Sequence, residues 1–277
     1  MTAEHLFSLA GKTVILTGAS GYLGRTFAHA LLANGARVVA FGRSDRLGIE
    51  AEKWRKEFGE DRILCHQIDM YDLDSLDRLF DSLCDRESRI DVLINNAHEL
   101  GLRTGFNTPA GSLENATFDQ WNRHFLGGIY WPALAVQKVG PKMKEARRGS
   151  IINISTMYAL VAPDPALYEG TQLLNPPGYS AAKAALLSFT RYTASFWGRY
   201  GIRSNAILPG PFSNLEDKAP NSVDKADPFL ERLGARTSLG RIGQPSELIG
   251  GLLFLASDAS SYVTGQGLSI DGGWTIT

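Results

Sequence analysis

The stretch that most restricts what this chain can fold into is residues 12–24. An apolar run over 12–17 reads as a short buried strand, the segment Gly18-Ala-Ser-Gly21-Tyr-Leu-Gly24 interrupts it, and a helical pattern then runs through Phe27, Ala30, Leu31 and Leu32. Each glycine has a distinct task in such a unit. Gly18 permits the tight turn, Gly21 lets backbone N–H groups approach a pyrophosphate at the positive end of the helix, and Gly24 lets helix and strand pack closely. A simple turn would also use glycines, but the strand before and the helix after favour a dinucleotide site. Gly18, Ser20, Gly21, Tyr22, Leu23 and Gly24 are therefore candidate cofactor contacts.

The rest of the chain repeats this alternation. Further strands are expected over 36–41, 62–68, 90–94, 149–155, 202–208 and 267–270, with helical patterns between them. Alternating strands and helices predict an α/β fold over residues 1–277: one domain, doubly wound, with a seven-stranded parallel sheet and helices on both faces. The helical pattern over 115–143 should bend near Gly127, Gly128 and Pro132.

Strand ends mark further site residues, because ligands of open α/β sheets bind at the carboxyl edge. The second strand ends in Gly42-Arg43-Ser44, with no carboxylate for ribose hydroxyls. A guanidinium can hold a 2′-phosphate through two charge-assisted hydrogen bonds, so Arg43 and Ser44 favour NADP(H) over NAD(H). The alternative for Arg43 is a solvated loop charge. Asp69 ends the third strand where an adenine would lie, Asn96 and Ala97 form a turn after the fourth, and Ser155 ends the fifth with a hydroxyl. Tyr179 and Lys183 stand four apart in an alanine-rich helix, hence on one face, where an ammonium would favour the phenolate and suit the pair to proton transfer.

Composition removes other classes. A net charge of -1 over 277 residues gives no reason to expect nucleic acid or an anionic membrane as partner. Two cysteines, five scattered histidines and no CxxC or HExxH leave no expected metal, and without a leader-like start or a long apolar run the chain is expected in the cytoplasm.

Taken in order, Thr17-Gly18 through Gly24, Asn95-Asn96-Ala97, Ser155, Tyr179 with Lys183, Pro209-Gly210, and the ending Ser261-Tyr-Val-Thr-Gly-Gln-Gly with Asp271-Gly-Gly resemble the short-chain dehydrogenase/reductase family over essentially the whole length. The resemblance implies a Rossmann fold and hydride transfer between nicotinamide and a carbonyl or secondary alcohol. It implies that Tyr179 is the proton donor or acceptor, that Lys183 holds the nicotinamide ribose and lowers the tyrosine pKa, and that Ser155 orients the substrate oxygen. It also implies that Pro209, Gly210, Phe212 and Asn214 meet the nicotinamide.

Three features depart from the family pattern. The turn reads TGxxGxxG, with Tyr22 where most members of this length have glycine. Gly128 takes the place, seven residues after Trp121, where the family has an asparagine; glycine keeps the carbonyl and the bend, so a proton relay without the side-chain strut is expected. The segment 157–178 between Ser155 and Tyr179 is nearly twice the usual length, and its anchoring predicts a wall of the substrate pocket. Its Asp164, Tyr168, Glu169 and Thr171 are hydrogen-bonding groups suited to a polyhydroxylated substrate, and residues 212–237 read as a substrate lid in which Lys218, Arg232 and Arg236 are read first as surface charge and second as phosphate ligands. These departures are similar to a bacterial subgroup associated with surface-sugar and flagellin modification, of legionaminic acid type, which points to a sugar or sugar phosphate as the small-molecule substrate. Two other readings compete: a sugar-nucleotide epimerase or dehydratase with bound NAD, and a non-catalytic dinucleotide-binding regulator. The apolar surface of the helix beyond Lys183, through Leu186, Leu187, Phe189, Tyr192, Phe196 and Trp197, predicts a homodimer or homotetramer.

Overall fold

The computed structural model describes residues 2–213 and 228–277. Seven strands form one sheet: β1 (Thr13–Leu16), β2 (Arg37–Gly42), β3 (Ile63–Gln67), β4 (Val92–Asn95), β5 (Gly149–Ile154), β6 (Ile202–Pro209) and β7 (Gly267–Ile270). Their order is β3-β2-β1-β4-β5-β6-β7, and every pairing is parallel. Each expected strand is present, with its ends within a residue or two of the expectation.

Alternate residues of these strands go to opposite faces, and both faces are covered, which is why the strands are apolar almost throughout. Val14, Leu16, Val38, Ala40 and Ile94 pack on one side with Phe27 and Leu31 of α2 (Tyr22–Ala33) and with Leu252 near the C-terminus. Ile15, Val39, Phe41, Leu93 and Ile151 face the other side. There they meet Leu76 and Phe80 of α4 (Leu73–Arg86) and Leu134 and Val139 of α6 (Trp131–Ala146). The short α1 (Ala3–Phe7) and α3 (Arg46–Phe58) complete the first half.

The helix expected to bend does so by a change of helical type. α5 (Phe118–Phe125) opens with a Thr117 capping box, passes into a π-helical turn over Leu126–Tyr130 and resumes as α6. Gly127 and Gly128 both lie in that turn and are buried. A π turn widens the backbone and frees carbonyls from the regular ladder, and such turns recur at functional sites. α7 (Pro177–Trp197) runs across this turn, then α8 (Pro228–Ala235) and α9 (Ile249–Ala256) follow. Strand order reverses between β1 and β4, so a crevice opens at their carboxyl ends, where the glycine turn and the start of α7 converge. No helix among the described residues is long and apolar enough to cross a membrane.

Candidate active site

A cavity of about 880 Å³ occupies this edge of the sheet. One end is the glycine turn. Gly24 could carry no side chain, because a Cβ there would lie 2.1 Å from the Gly18 carbonyl oxygen, while Gly18 itself sits at φ 70°. Gly21 caps α2 without any side-chain acceptor, so the first N–H groups of the helix are left for an anion. Asn96 ties the two loops together: its Nδ2 donates to the carbonyls of Thr17 and Gly18, and the N–H groups of Asn96 and Ala97 donate to the Thr17 hydroxyl. Gly18, Ser20, Gly21, Tyr22, Leu23, Gly24, Arg43, Ser44, Asp69, Asn96, Ala97, Pro209, Gly210 and Phe212 all line this one cavity. An open helix N-terminus beside a Cβ-free turn fits a dinucleotide. Asn214 and Lys218 lie outside the described residues.

Arg43 is not free. Its Nη1 lies 3.2 Å from Oε1 of Glu99, a carboxylate that also meets Arg103 at 3.0 Å and Arg123 at 3.4 Å and accepts the Tyr71 hydroxyl at 2.6 Å. Burial pushes the Glu99 carboxyl up, but the Tyr71 hydroxyl and Arg43 outweigh it and hold Glu99 below its ordinary range.

Deeper in the cavity, Tyr179 and Lys183 share one face of α7 as their spacing requires. Their electrostatics differ from the sequence expectation. Burial pushes the Tyr179 phenol up to about 12, an effect the Thr156 hydroxyl partly offsets by hydrogen bonding, and burial pushes the Lys183 ammonium down to about 7. Lys183 Nζ donates to the Ile154 carbonyl at 2.7 Å, so its hydrogen bond goes to the end of β5. Desolvation rather than their mutual attraction sets both groups here.

Ser155 and Thr156 both line the cavity, with different partners. Ser155 Oγ donates to the Lys183 main-chain carbonyl at 2.9 Å, which locks β5 to α7. The hydroxyl beside the Tyr179 phenol belongs to Thr156. A residue count along an apolar strand does not tell which of two successive hydroxyls beyond its end meets the phenol.

The segment 157–178 does form part of the cavity wall, through fewer of its polar groups than expected. Tyr158 and Leu167 are buried with Trp274, and Tyr168, Leu173 and Asn175 line the cavity. Asp164 instead caps a short 3-10 turn through Ala166 N, and Thr171 bonds within its own loop, donating to Tyr168 O and accepting from Leu173 N. Glu169 is exposed at the surface. Arg232 serves this segment, donating to the carbonyls of Leu167 and Glu169, and Arg236 lies over the Trp274 ring and donates to Thr277. Both arginines therefore work as struts. Facing the insert is a second wall that the sequence did not suggest, where Leu102, Phe106, Asn107 and Thr108 line the cavity and Asn107 N donates to Leu174 O.

Two histidines also escaped sequence reasoning. His98 and His124 lie ring to ring, Nε2 of His98 3.2 Å from Nδ1 of His124, and both contact the Tyr179 ring with centroids 5.2 and 6.1 Å away. Nothing in their separation of 26 residues signals a pair; the available clue was His98 directly after the Asn95-Asn96-Ala97 turn. Away from the cavity, Tyr192 and Phe196 stack at 4.2 Å on α7 and stay more than half exposed, whereas Leu186 and Leu187 of the same helix are core.

Comparison with known proteins agrees with this geometry. A family model described as enoyl-(acyl carrier protein) reductase matches residues 18–275. L-rhamnose 1-dehydrogenase (NAD(P)(+)) of Azotobacter vinelandii is 36% identical, with 96% of this chain and 97% of that protein covered. Gluconate 5-dehydrogenase of Gluconobacter oxydans is 32% identical, with both covered completely. Among solved structures, a gluconate 5-dehydrogenase from Burkholderia cenocepacia J2315 in complex with NADP and tartrate has a TM-score of 0.83 at 28% identity, each chain covered in full.

Proposed function

The chain belongs to the short-chain dehydrogenase/reductase family and is an NAD(P)-dependent oxidoreductase, and we propose that it interconverts a hydroxyl and a carbonyl of a sugar or sugar acid, with NADP(H) as the preferred cofactor. The observation that carries the reading is the meeting of the Tyr179 phenol and the Thr156 hydroxyl in the same cavity that starts at the glycine turn. When bound, the cofactor supplies the hydride acceptor or donor. Tyr179 then exchanges the proton of the substrate oxygen, and Thr156, in the role first given to Ser155, donates a hydrogen bond to that oxygen. Lys183 holds the ribose once it leaves the Ile154 carbonyl, and its positive charge then favours the phenolate.

Relatives whose names specify L-rhamnose and gluconate support the sugar reading, as do Tyr168, Asn107 and Asn175 among the polar lining groups. Arg43 at the end of β2 supports NADP(H), although Glu99 competes for it. The exposed Tyr192–Phe196 stack supports a homodimer or homotetramer, and the free thiols of Cys65 and Cys84 suit the cytoplasm. The likeness to the surface-sugar subgroup rests on Tyr22, Gly128 and the 157–178 insert, and would admit a sugar phosphate beside a free sugar.

The test is a screen of aldoses, aldonic acids, ketoses, sugar phosphates and nucleotide sugars with NADP⁺ and NAD⁺, followed by nicotinamide absorbance. Turnover of a sugar, higher kcat/KM with NADP⁺, and loss of about 10²–10⁴-fold in Tyr179→Phe are expected. Equal activity of Tyr179→Phe would remove the assignment.

A further inference from the structure

Beyond Thr156 the chain enters the 157–178 insert, and two of its tyrosines meet in the cavity wall. Tyr158 and Tyr168 both line the cavity, and their phenol oxygens lie 3.4 Å apart. Among the described residues neither oxygen has another hydrogen-bond partner. Two hydroxyls prefer a separation of about 2.7–2.8 Å, so this bond is long and weak, and it uses only one of the two hydrogens. Phenol oxygens in an apolar wall ordinarily take a fixed carbonyl or side-chain partner, because an unpaired polar group there costs free energy. Here a donor hydrogen and several lone pairs have no protein partner among the described residues.

The fold nevertheless holds both rings in place. Tyr158 lies edge-on to the buried Trp274, with centroids 6.2 Å apart and an interplanar angle of 81°, and its N–H donates to the Thr156 hydroxyl at 3.4 Å. Tyr168 packs on Phe229 with centroids 5.6 Å apart. One guanidinium fastens the backbone on either side of Tyr168: Arg232 of α8 donates through Nε to Leu167 O at 3.0 Å and through Nη2 to Glu169 O at 3.1 Å. Phe106, Leu173, Leu230 and Leu233 add apolar lining to the cavity. Hydroxyls fixed in this way lose little freedom when a ligand bonds them.

The same contacts place the pair next to the reacting groups. Tyr168 and Tyr179 pack against one cluster formed by Met157, Tyr158, Leu167 and Trp274. The Thr156 hydroxyl that receives the Tyr158 N–H is the one beside the Tyr179 phenol. A substrate oxygen held by Tyr179 and Thr156 therefore has the tyrosine pair next along the wall. Burial holds both phenols of the pair above their ordinary value, so each keeps its hydrogen at neutral pH.

We propose that Tyr158 and Tyr168 are specificity-determining residues that bind a second hydroxyl of the substrate between their phenol oxygens, and so select polyhydroxylated substrates over alcohols with a single hydroxyl. An oxygen set about 2.8 Å from both accepts from one phenol and donates to the other, which replaces one long hydrogen bond by two good ones. The inference rests on the oxidoreductase reading above and adds to it the groups that choose the substrate. Selection by this device is moderate in size. With a one-hydroxyl alcohol the two tyrosines return to each other, whereas a site whose polar groups have no such alternative rejects the wrong substrate far more strongly.

The test is oxidation of L-rhamnose, gluconate, sorbitol and cyclohexanol with NADP⁺ and NAD⁺ by the wild type, Tyr158→Phe and Tyr168→Phe. The wild type should favour at least one of the three polyols over cyclohexanol in kcat/KM. Each substitution removes one oxygen and keeps the ring, and should lower the polyol-to-cyclohexanol ratio of kcat/KM roughly tenfold, mainly through KM for the polyol. A role in packing alone would lower both substrates together; that result, an unchanged ratio in either variant, or a wild type that prefers cyclohexanol would overturn the proposal. NADP⁺ affinity and the urea midpoint should stay close to wild type, so a loss for the polyol is read as lost hydrogen bonding even where cyclohexanol turns over too slowly to measure. Failure of the oxidoreductase reading looks different: no change in nicotinamide absorbance with any of the four compounds, and the proposal falls with it. Should Tyr158→Phe, at the more buried of the two positions, not fold, Tyr168→Phe decides alone.

Discussion

His98 and Glu99 are neighbours in the chain, yet the polar clusters around them follow opposite rules. Glu99 collects Arg43, Arg103, Arg123 and the Tyr71 hydroxyl about one carboxylate, a charged knot at the mouth of the cavity. His98 joins His124, Tyr179 and Lys183 in a site where burial drives the bases toward neutrality. Recognition of a charged cofactor gains from fixed charge near solvent, where a phosphate can exchange one partner for another. Proton transfer gains from groups whose two forms lie close in free energy, and desolvation brings a lysine there. The same loop therefore places a paired carboxylate among arginines with one residue and a buried imidazole against the Tyr179 ring with the other.

The largest break in this comparison should come from the paired hydroxyls at the end of β5. Thr156→Ala removes the hydrogen bond to the Tyr179 phenol and should lower kcat by about 10²-fold with little change in melting temperature. Ser155→Ala removes the tie to Lys183 O and should instead cost about 1 kcal/mol of stability, with a smaller kinetic effect. Steady-state kinetics and urea unfolding on both variants separate the roles, and the reverse pattern would restore Ser155 as the orienting group.

A steric test of the reaction side follows. Gly128→Asn would place a Cβ 2.6 Å from Ala182 Cβ, so the π turn or α7 must shift. Overpacking of this kind costs about 1–3 kcal/mol, and turnover should fall with it because Tyr179 and Lys183 lie on the displaced helix. Urea midpoints at constant m-value check the first part. Unchanged turnover would contradict this, since the space of the missing side chain is taken by Ala182 and His98.

On the charged side, Arg43→Ser should weaken NADP⁺ relative to NAD⁺ by roughly tenfold, the value of one charge-assisted hydrogen bond of about 1.5 kcal/mol. Glu99→Gln should move the ratio the other way by a smaller factor, because it frees Arg43 and removes the carboxylate beside its guanidinium. Ratios of kcat/KM for the two cofactors measure both, and a Glu99→Gln enzyme that turns toward NAD⁺ would show that the carboxylate positions Arg43 rather than competing for it.

What the sequence disclosed follows the range of the interactions involved. The glycine turn, the strand ends and the Tyr179/Lys183 face are local patterns, and Gly18, Asn96, Tyr179 and Lys183 stand where those patterns lead. His98 with His124, and Glu99 with Arg43, are brought together by tertiary structure across 26 and 56 residues, and no local period records them. Asp164, Thr171, Arg232 and Arg236 are engaged within the fold for a related reason. Their residue types suit a polar ligand, but the turns they lie in need donors and acceptors of their own, and backbone groups took them first. Ser155 and Thr156 follow each other directly after β5, and only the path of the chain there decides which partner each hydroxyl meets.

The last prediction concerns the charge of Lys183 itself. Its folded pKa near 7 lies below the ordinary 10.5, so between these values the unfolded chain binds a proton that the folded, cofactor-free protein does not. Stability must then rise with pH across that window, by at most about 1.4 kcal/mol per pH unit. Other groups limit where this can be read. His66, His98 and His124, all held below 6.5, destabilise the fold as pH falls beneath that value, and Cys65, raised from 9.0 to about 11, lowers stability as pH rises above 9. Between pH 7 and 9 the difference in unfolding free energy between the wild type and Lys183→Met should therefore move steadily toward the wild type, groups common to both proteins cancelling. A difference independent of pH would mean that Lys183 keeps its proton throughout, and that desolvation does not govern the reaction side of the site.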